Sequence, residues 1–545
     1  MNMEPYVRRS PGQVATAIAD ILADAGAEMV ASLPDGWIAP PIEHLGHDKR
    51  FRHIPVNREE SAVGLCAGAF FGGRLGVAVA ILITGATVSG CVHFEPKPIT
   101  PEANLTQIEG RTLSNDALAQ AVRPTNLFAS WPPPSWDLNA LTAAALYYNP
   151  NLDVARTQWD AARAGVLTAG ELPNPTVSAG PGYNADTPPN TITPWILNLN
   201  FDFTIETAGK RDYRIARAGR LFEAARFAIA TAAWQVRSQL RQALLDLYSG
   251  TESAALLERQ LGIQESNVTL LERQLAAGEV SSFEVTQARL ILDGVRLQRA
   301  DAERLRREAL TRVAAAIGVS VAALDGIALN FRSFEQVPQG IPSLDAQRAA
   351  LTNRADILTA LANYDASQSA LQLEIARQYP DIHLGPGYQM DQEASKWTLL
   401  LTSALPVLSQ NRGPIAEAEA RRAAAAATLT ATQTRVLGEL QRALAAYGAA
   451  ADKFKTADRM LDDTRALEAT ARERLAAGDI AQVDLGVVQL EVATRELSRF
   501  EALVQVQAAF GAIEDAMQRP GDLPFALPPS DNVAGLAESS QRNPQ

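Results

Sequence analysis

Along residues 195–205 hydrophobic and polar side chains alternate, without a break from Leu197 onward. Leu197, Leu199, Phe201, Phe203 and Ile205 fall in one phase, and Asn198, Asn200, Asp202 and Thr204 in the other. Successive side chains of a strand point to opposite faces, so the segment predicts a strand with one apolar and one wet face. Residues 397–405 repeat the pattern less cleanly, with Trp397, Leu399, Leu401 and Leu405 in one phase and Thr398 and Thr402 in the other. Elsewhere the period is helical. From Arg211 to Ala277 there is no proline and little glycine, and Ala, Arg, Leu, Glu and Gln dominate. At about 1.5 Å per residue such a helix is on the order of 100 Å long. Pro414 to Ala477 matches it, and a proline is tolerated in a helix's first turn. Alanine-rich helices without an all-round apolar surface must pack on neighbours in coiled-coil fashion.

The body repeats itself. Leu275-Ala-Ala-Gly-Glu-Val280 recurs 200 residues later as Leu475-Ala-Ala-Gly-Asp-Ile480. Pro173–Tyr183 recurs as Tyr379–Tyr388, both ending Gly-Pro-Gly-Tyr, and Ile205–Arg211 recurs as Val407–Gly413. Three landmarks in the same order define a duplicated unit. Each copy reads as a helical stretch (Leu141–Gly170; Ser343–Arg377), two short strands and a long helix. Gly278 and Gly478 read as the left-handed caps that end the long helices.

Composition narrows the class. Of 545 residues 47% are hydrophobic but only 6% aromatic, and 61 acids outweigh 49 bases for a net charge of −12. This excludes a polytopic bundle of membrane helices and disfavours nucleic acid, whose phosphates call for excess Lys and Arg. Membrane strands remain open, because about ten residues of alternation suffice and only every second residue need meet lipid. Four strands cannot close a channel, whereas three chains giving four each can, and lipid requires closure. Two cysteines, Cys66 and Cys91, are too few for a disulfide framework or a thiol-rich zinc site. Beyond residue 94 His383 is the lone histidine, and no HExxH, GxSxG or P-loop occurs. No catalytic residue, metal ligand or cofactor is expected in the body.

The stretch after Arg74 is uncharged from Leu75 to Val88 and ends Val88-Ser89-Gly90-Cys91. That is the layout of a secretory signal closing in a lipobox, with Cys91 the residue to be acylated. The run is short for a membrane helix, which needs about 20 apolar residues. The competing reading is a strand or helix of a globular domain. The polar, proline-bearing sequence after Cys91 reads as an extended tether through residue 140. Residues 1–73 alternate helical and strand-like segments, as an α/β domain does at its start. With Pro55-Val-Asn-Arg-Glu-Glu60 they resemble the truncated N-terminus of a sulfopyruvate or phosphonopyruvate decarboxylase α-type thiamine-diphosphate domain. The resemblance implies that Glu59 matches the glutamate that activates the cofactor. It breaks off near Gly73, before any diphosphate-binding segment, so residues 1–73 are expected to be a non-functional relic.

With the lipobox, the duplicated unit and the Leu-Ala-Ala-Gly-acid turns, residues 92–520 resemble the TolC-like outer-membrane efflux channel family. The fold implied is mainly α with a small β part: a homotrimeric α-barrel continued by a 12-stranded β-barrel, four strands per chain. Residues 74–90 are then the signal, 91–140 the tether, 141–340 and 341–520 the two channel repeats, and 521–545 a disordered tail. The resemblance implies that Glu284 and Asp484 line the periplasmic aperture. It implies that Leu275, Gly278, Glu279, Leu475, Gly478 and Asp479 form tips contacting a periplasmic adaptor. Asn198, Asn200, Asp202 and Thr204 then face the lumen, and Leu197, Leu199, Phe201, Phe203, Trp397, Leu399 and Leu401 face lipid. The function implied is passive exit of small solutes or metal cations through a lipid-anchored channel in the outer membrane of a Gram-negative bacterium. The energy comes from an inner-membrane pump of the resistance-nodulation-division type. The alternatives are a cytoplasmic decarboxylase fragment and a soluble coiled-coil scaffold.

Overall fold

The computed structural model describes residues 94–123, 130–185, 193–338, 342–391 and 394–518. Within the first 93 residues it describes 16, 19–20, 23, 27–32, 44, 47–55 and 75–78. The chain divides into two units, residues 1–98 and residues 99–543. In the first, three strands form a parallel sheet: β1 (Ala27–Ser32), β2 (Arg52–Pro55) and β3 (Leu75–Ala78), in the order β2-β1-β3. Met29 pairs with Arg52 and Ala27 with Leu75. β3 thus occupies the first residues of the stretch read as a secretory signal, and Cys91 and Glu59 lie outside the described residues.

Residues 94–99, which bridge the boundary at 98/99, are exposed and carry no regular structure. The tether expected through residue 140 ends there. Pro101 and the Thr100 cap start helix α1 (Pro101–Glu109), and α2 (Asp116–Val122) follows. Leu113, Leu118, Val122 and Trp136 of this region are buried in the main core, which is why it folds back instead of trailing. Each helical stretch preceding the strands is broken once. Asn149 separates α3 (Leu138–Tyr148) from α4 (Pro150–Gly170), because Pro150 cannot continue the ladder and the Asn149 side chain caps the new helix. The first repeat continues with β4 (Thr176–Tyr183), β5 (Trp195–Ile205), α5 (Lys210–Ala277) and α6 (Ser282–Ile317). After the short α7 (Arg332–Glu335), α8 (Leu344–Asn353) and α9 (Ala355–Ala376) meet at Arg354. Then come β6 (Ile382–Asp391), β7 (Ala394–Thr402), α10 (Arg412–Ala477) and α11 (Gln482–Met517). The helices α5 and α10 have 68 and 66 residues, so the two copies match in length as well as in order. Among the described residues no helix is long and apolar enough to cross a membrane.

The helices pack as coiled coils. On α5 the buried residues Ala254, Leu257, Leu261, Gln264 and Val268 step by three and four. Facing them, Val285, Ala288, Leu292 and Val295 do the same on α6, with Ala302 a heptad further on. The largest core joins α2, α3, α5, α6, α7 and α11 around Leu141, Leu240, Leu244, Leu245, Ile317, Phe334 and Phe500. There Tyr248, ringed by Phe331, Phe334 and Phe500, is pushed by burial up to about 12. The repeats meet at β5 on β6, α5 on α9 and α5 on α11, the last combining apolar packing around Phe500 with buried polar groups. Arg241 donates to the Gln507 carbonyl (3.0 Å) and pairs with Glu514 (3.0 Å). Trp234 and Ser238 both donate to Asp515, at 3.2 and 2.6 Å. Gly486 and Gly511 on α11 leave the space that Asn267 and Arg241 of α5 occupy; a Cβ at either would collide. Successive contacts 234–515, 260–494 and 267–486 run antiparallel, so the turns after Gly278 and Gly478 end at the same height.

Candidate functional site

One sheet holds all four strands of the second unit, antiparallel in the order β4-β5-β6-β7. The two hairpins are separated by 176 residues of chain and joined by the β5–β6 pairing, which sets Leu197 against Met390, Leu199 against Tyr388 and Thr204 against His383. The outer pairings set Leu197 against Pro181, Trp397 against Tyr388, Leu399 against Pro386 and Leu401 against Leu384. These registers put Leu197, Leu199, Phe201, Phe203, Trp397, Leu399 and Leu401 on one face together with Tyr183, Trp195, Tyr388 and Met390. Asn198, Asn200, Asp202 and Thr204 share the other face with His383, Gln389, Asp391, Lys396 and Thr398. Ile196, Ala394 and Leu400 are apolar residues on that face. Leu405 lies beyond the end of β7, where Pro406 interrupts any ladder.

Among the described residues nothing covers the outer part of the apolar face. Trp397 is 82% exposed, Leu399 70% and Leu401 68%. Tyr183 meets Trp195 edge-on at 5.2 Å and Tyr388 meets Trp397 at 5.0 Å, so the four rings cluster toward the hairpin ends of the sheet. On the polar face a feature appears that period and composition did not single out. His383 Nδ1 sits 3.1 Å from Asp202 and 3.3 Å from Thr204, a cross-strand contact that only the register creates. Gly387 leaves no room for a Cβ between Asn200 and Thr398, so those side chains approach one another across it. The spacing of Gly385 and Gly387 at every second position was visible in the sequence; their polar neighbours on β5 and β7 were not.

At the helix end of the sheet an ionic joint ties strands to helices. Lys210, 8% exposed at its side chain, donates to Asp381 (2.7 Å) and to the Tyr379 carbonyl (2.7 Å). Arg214 grips Glu206 with both terminal guanidinium nitrogens, and Arg211 reaches the Gly170 carbonyl (2.7 Å). A second network closes the α8–α9 break. The buried Arg354 bonds Asp356 (2.8 Å) and the Ala516 carbonyl (2.8 Å), and Arg435 reaches Asp356 (2.8 Å) and Glu439 (2.6 Å). Burial raises the Asp356 carboxyl, but its bonds to Arg354 and Arg435 outweigh this and hold it below the ordinary carboxylate value.

Both tips have the same construction. Gly278 (φ +78°) and Gly478 (φ +80°) end their helices in the left-handed region, and Glu279 and Asp479 donate backbone N–H groups to Gln274 and Arg474 at 2.9 Å. Glu279 and Asp479 are exposed at the extreme end, with Leu275 and Leu475 just behind them. Glu284 and Asp484 sit in the first turn of the returning helices. Each carboxylate accepts its own cap's N–H, from Ser281 at 2.8 Å and Ala481 at 2.9 Å. Ser281 completes a reciprocal box by accepting from the Glu284 N–H, a partner Ala481 lacks. Among the described residues no group of three or more His, Cys, Asp and Glu side chains converges as a metal site.

The model of the Outer membrane efflux protein family matches residues 141–319 and 347–517. Over 307 residues the chain is 26% identical to the cobalt-zinc-cadmium resistance protein CzcC of Cupriavidus metallidurans, covering 55% of this chain and 70% of that protein. The crystal structure of the Campylobacter jejuni CmeC outer membrane channel superposes with a TM-score of 0.58 at 17% identity, covering 82% of this chain and 98% of that one. A separate likeness, 40% identity over 58 residues, joins 11% of the chain to the sulfopyruvate decarboxylase α subunit of Methanococcus maripaludis and spans only 35% of that protein. With both repeats matched over more than half of its length, the chain belongs to the outer membrane efflux protein family and is an efflux duct of the outer membrane.

Proposed function

We propose that the chain is one protomer of a homotrimeric, passive exit duct, supplied from the periplasm by an adaptor and an inner-membrane pump. The observation that carries this is the uncovered apolar face of the four-stranded sheet. No soluble protein gains by leaving Trp397, Leu399 and Leu401 in water, whereas lipid is their natural cover. Strands β4 and β7 each keep an unpaired edge within the chain, and lipid tolerates a sheet only when its edges close. Twelve strands from three copies close it, with Asn198, Asn200, Asp202 and Thr204 turned to the water-filled interior.

In this reading Cys91 carries the lipid and residues 1–90 are absent from the mature protein. The tips around Gly278 and Gly478 meet the adaptor. Glu284 and Asp484 brace the tip turns through their cap bonds and carry negative charge at the periplasmic end. An open duct selects by size and charge, and the likeness to a cobalt-zinc-cadmium resistance protein favours divalent metal cations as cargo.

The test is a deletion strain complemented with the full chain. Recovery as a trimer from outer membranes, an acylated N-terminal cysteine at position 91 and restored tolerance to zinc, cobalt or cadmium are the expected results. Recovery in the cytosol with Met1 intact and no restored tolerance would overturn the reading.

A further inference from the structure

On and beside the wet face of the four-stranded sheet, acids are matched with fixed cations, with one exception. Asp391 holds Lys396 at 2.6 Å. At the helix end Asp381 holds Lys210 at 2.7 Å, and Glu206 is gripped by Arg214. Among the described residues of the strands, Asp202 is the carboxylate that meets no lysine or arginine, and its ionisable partner is His383. An imidazole is a cation only when protonated, so Asp202 has no permanent counter-charge.

The register adds a second feature at the same place. Thr204 lies opposite His383, and between the Phe203–Leu384 and Asn200–Gly387 pairs Asp202 falls across from Gly385, which has no side chain to fill the space. His383 Nδ1 therefore meets three oxygens: those of the Asp202 carboxylate at 3.1 and 3.3 Å, and the Thr204 hydroxyl at 3.3 Å. The His383 and Asp202 side chains are 37% and 45% exposed, so water and solutes reach them.

A shared proton is one way to join such groups, and a cation is another. Ligands bound about 2.0–2.2 Å from a zinc-like ion stand roughly 3–3.5 Å from one another, which is the separation found here. The donor set selects among ions. An imidazole nitrogen beside a carboxylate suits zinc, cobalt or copper, whereas magnesium and calcium take oxygen alone. Because three side chains at most contribute, water completes the shell and the ion exchanges readily. A conduit requires this, since its binding must draw an ion in without holding it.

We infer that His383, Asp202 and Thr204 form an open, exchanging site for zinc-like divalent cations on the duct's interior wall, one per chain. The site rests on the duct proposed above and is where that duct's cargo touches the wall.

Copper with ascorbate oxidises the side chains that hold the copper, and peptide mass spectrometry reads their positions. His383 is the lone histidine beyond residue 94, so a hit in the channel body is unambiguous. In isolated outer membranes carrying the full chain, His383 should be oxidised, and excess zinc should protect it while the same excess of magnesium does not. Asp202→Asn keeps an oxygen for the imidazole but removes the charge, and should lower the oxidation about tenfold at unchanged trimer yield. Should that variant disturb assembly, Thr204→Val tests the third donor and should lower it by a smaller factor. His383 left unoxidised, protected equally by both metals or by neither, or oxidised equally in Asp202→Asn is a hydrogen-bonded pair and no cation site. Any of these results in a trimer of the outer membrane overturns the site and leaves the duct standing. A chain absent from the outer membrane overturns both.

Discussion

Glu284 and Asp484 are equivalent in sequence but not in what holds them. At the first tip the cap is reciprocal, because Ser281 accepts the Glu284 N–H at 3.4 Å; at the second, Ala481 offers no acceptor. Ser281→Ala should therefore cost about 1 kcal/mol of local stability, and Ala481→Ser should recover a similar amount at the other tip. Amide exchange in residues 281–286 and 481–486 reads both. Gly278→Ala forces an L side chain to φ +78°, at about 1–2 kcal/mol, and should speed exchange at the same turn without touching the sheet. Asp356 supplies a pH dependence. Its folded-state value lies below the unfolded one, so its contribution is complete above about pH 4 and drains away as pH falls through the folded value. The melting temperature of Asp356→Asn should lie below that of the parent at neutral pH, and the gap should narrow in acid.

At the scale of elements, what the sequence made legible follows from how local each signal is. The alternation in β5 and the long proline-free helices are set by neighbours a few residues apart, and they are found where expected, within two residues for α5 and α10. The break at Arg354 was not legible, because it is held by partners far along the chain, Ala516 and Glu439, whereas the break at Asn149 carries a local signal, the Asn-Pro pair, inside the stretch read as one helix. Nor was the return of α2 and its flanks to the body, since a polar, proline-bearing stretch looks like a tether until Leu113, Leu118 and Trp136 find a core to enter. The buried Arg241 gave no local signal at all; its place is set by a glycine 270 residues away. The two sheet faces make a contrast that can be measured. Leu399→Lys sets a charge on the apolar face and should cost about 2–4 kcal/mol near the membrane midplane, less nearer its surface. Asn200→Lys, on the opposite face, should leave assembly intact and alter ion passage instead. Trimer yield in outer membranes and single-channel conductance separate the two outcomes.

At the scale of the molecule, two unlike likenesses meet in one chain: the family match covers residues 141–319 and 347–517, and a decarboxylase likeness covers only 11% of the chain. A chain beginning with an exogenous lipoprotein signal fused at Cys91 should complement a deletion strain as well as the full chain does; a loss of function would give residues 1–90 a task. The two unlike edges of the protomer, β4 with α6 and β7 with α10, bear on genetics as much as on architecture. In the trimer proposed above, a protomer spoiled on one edge alone, such as at the exposed Met460 and Leu467 of α10, would still offer a sound surface to a healthy partner, join it and then block completion. Such an allele is a poison. Equal co-expression of wild-type chain and a Met460→Glu, Leu467→Glu double variant should leave only about one assembly in eight free of the altered chain, assuming random mixing in threes. Metal tolerance should drop by much more than half, a dominance that a variant merely unable to fold would not show.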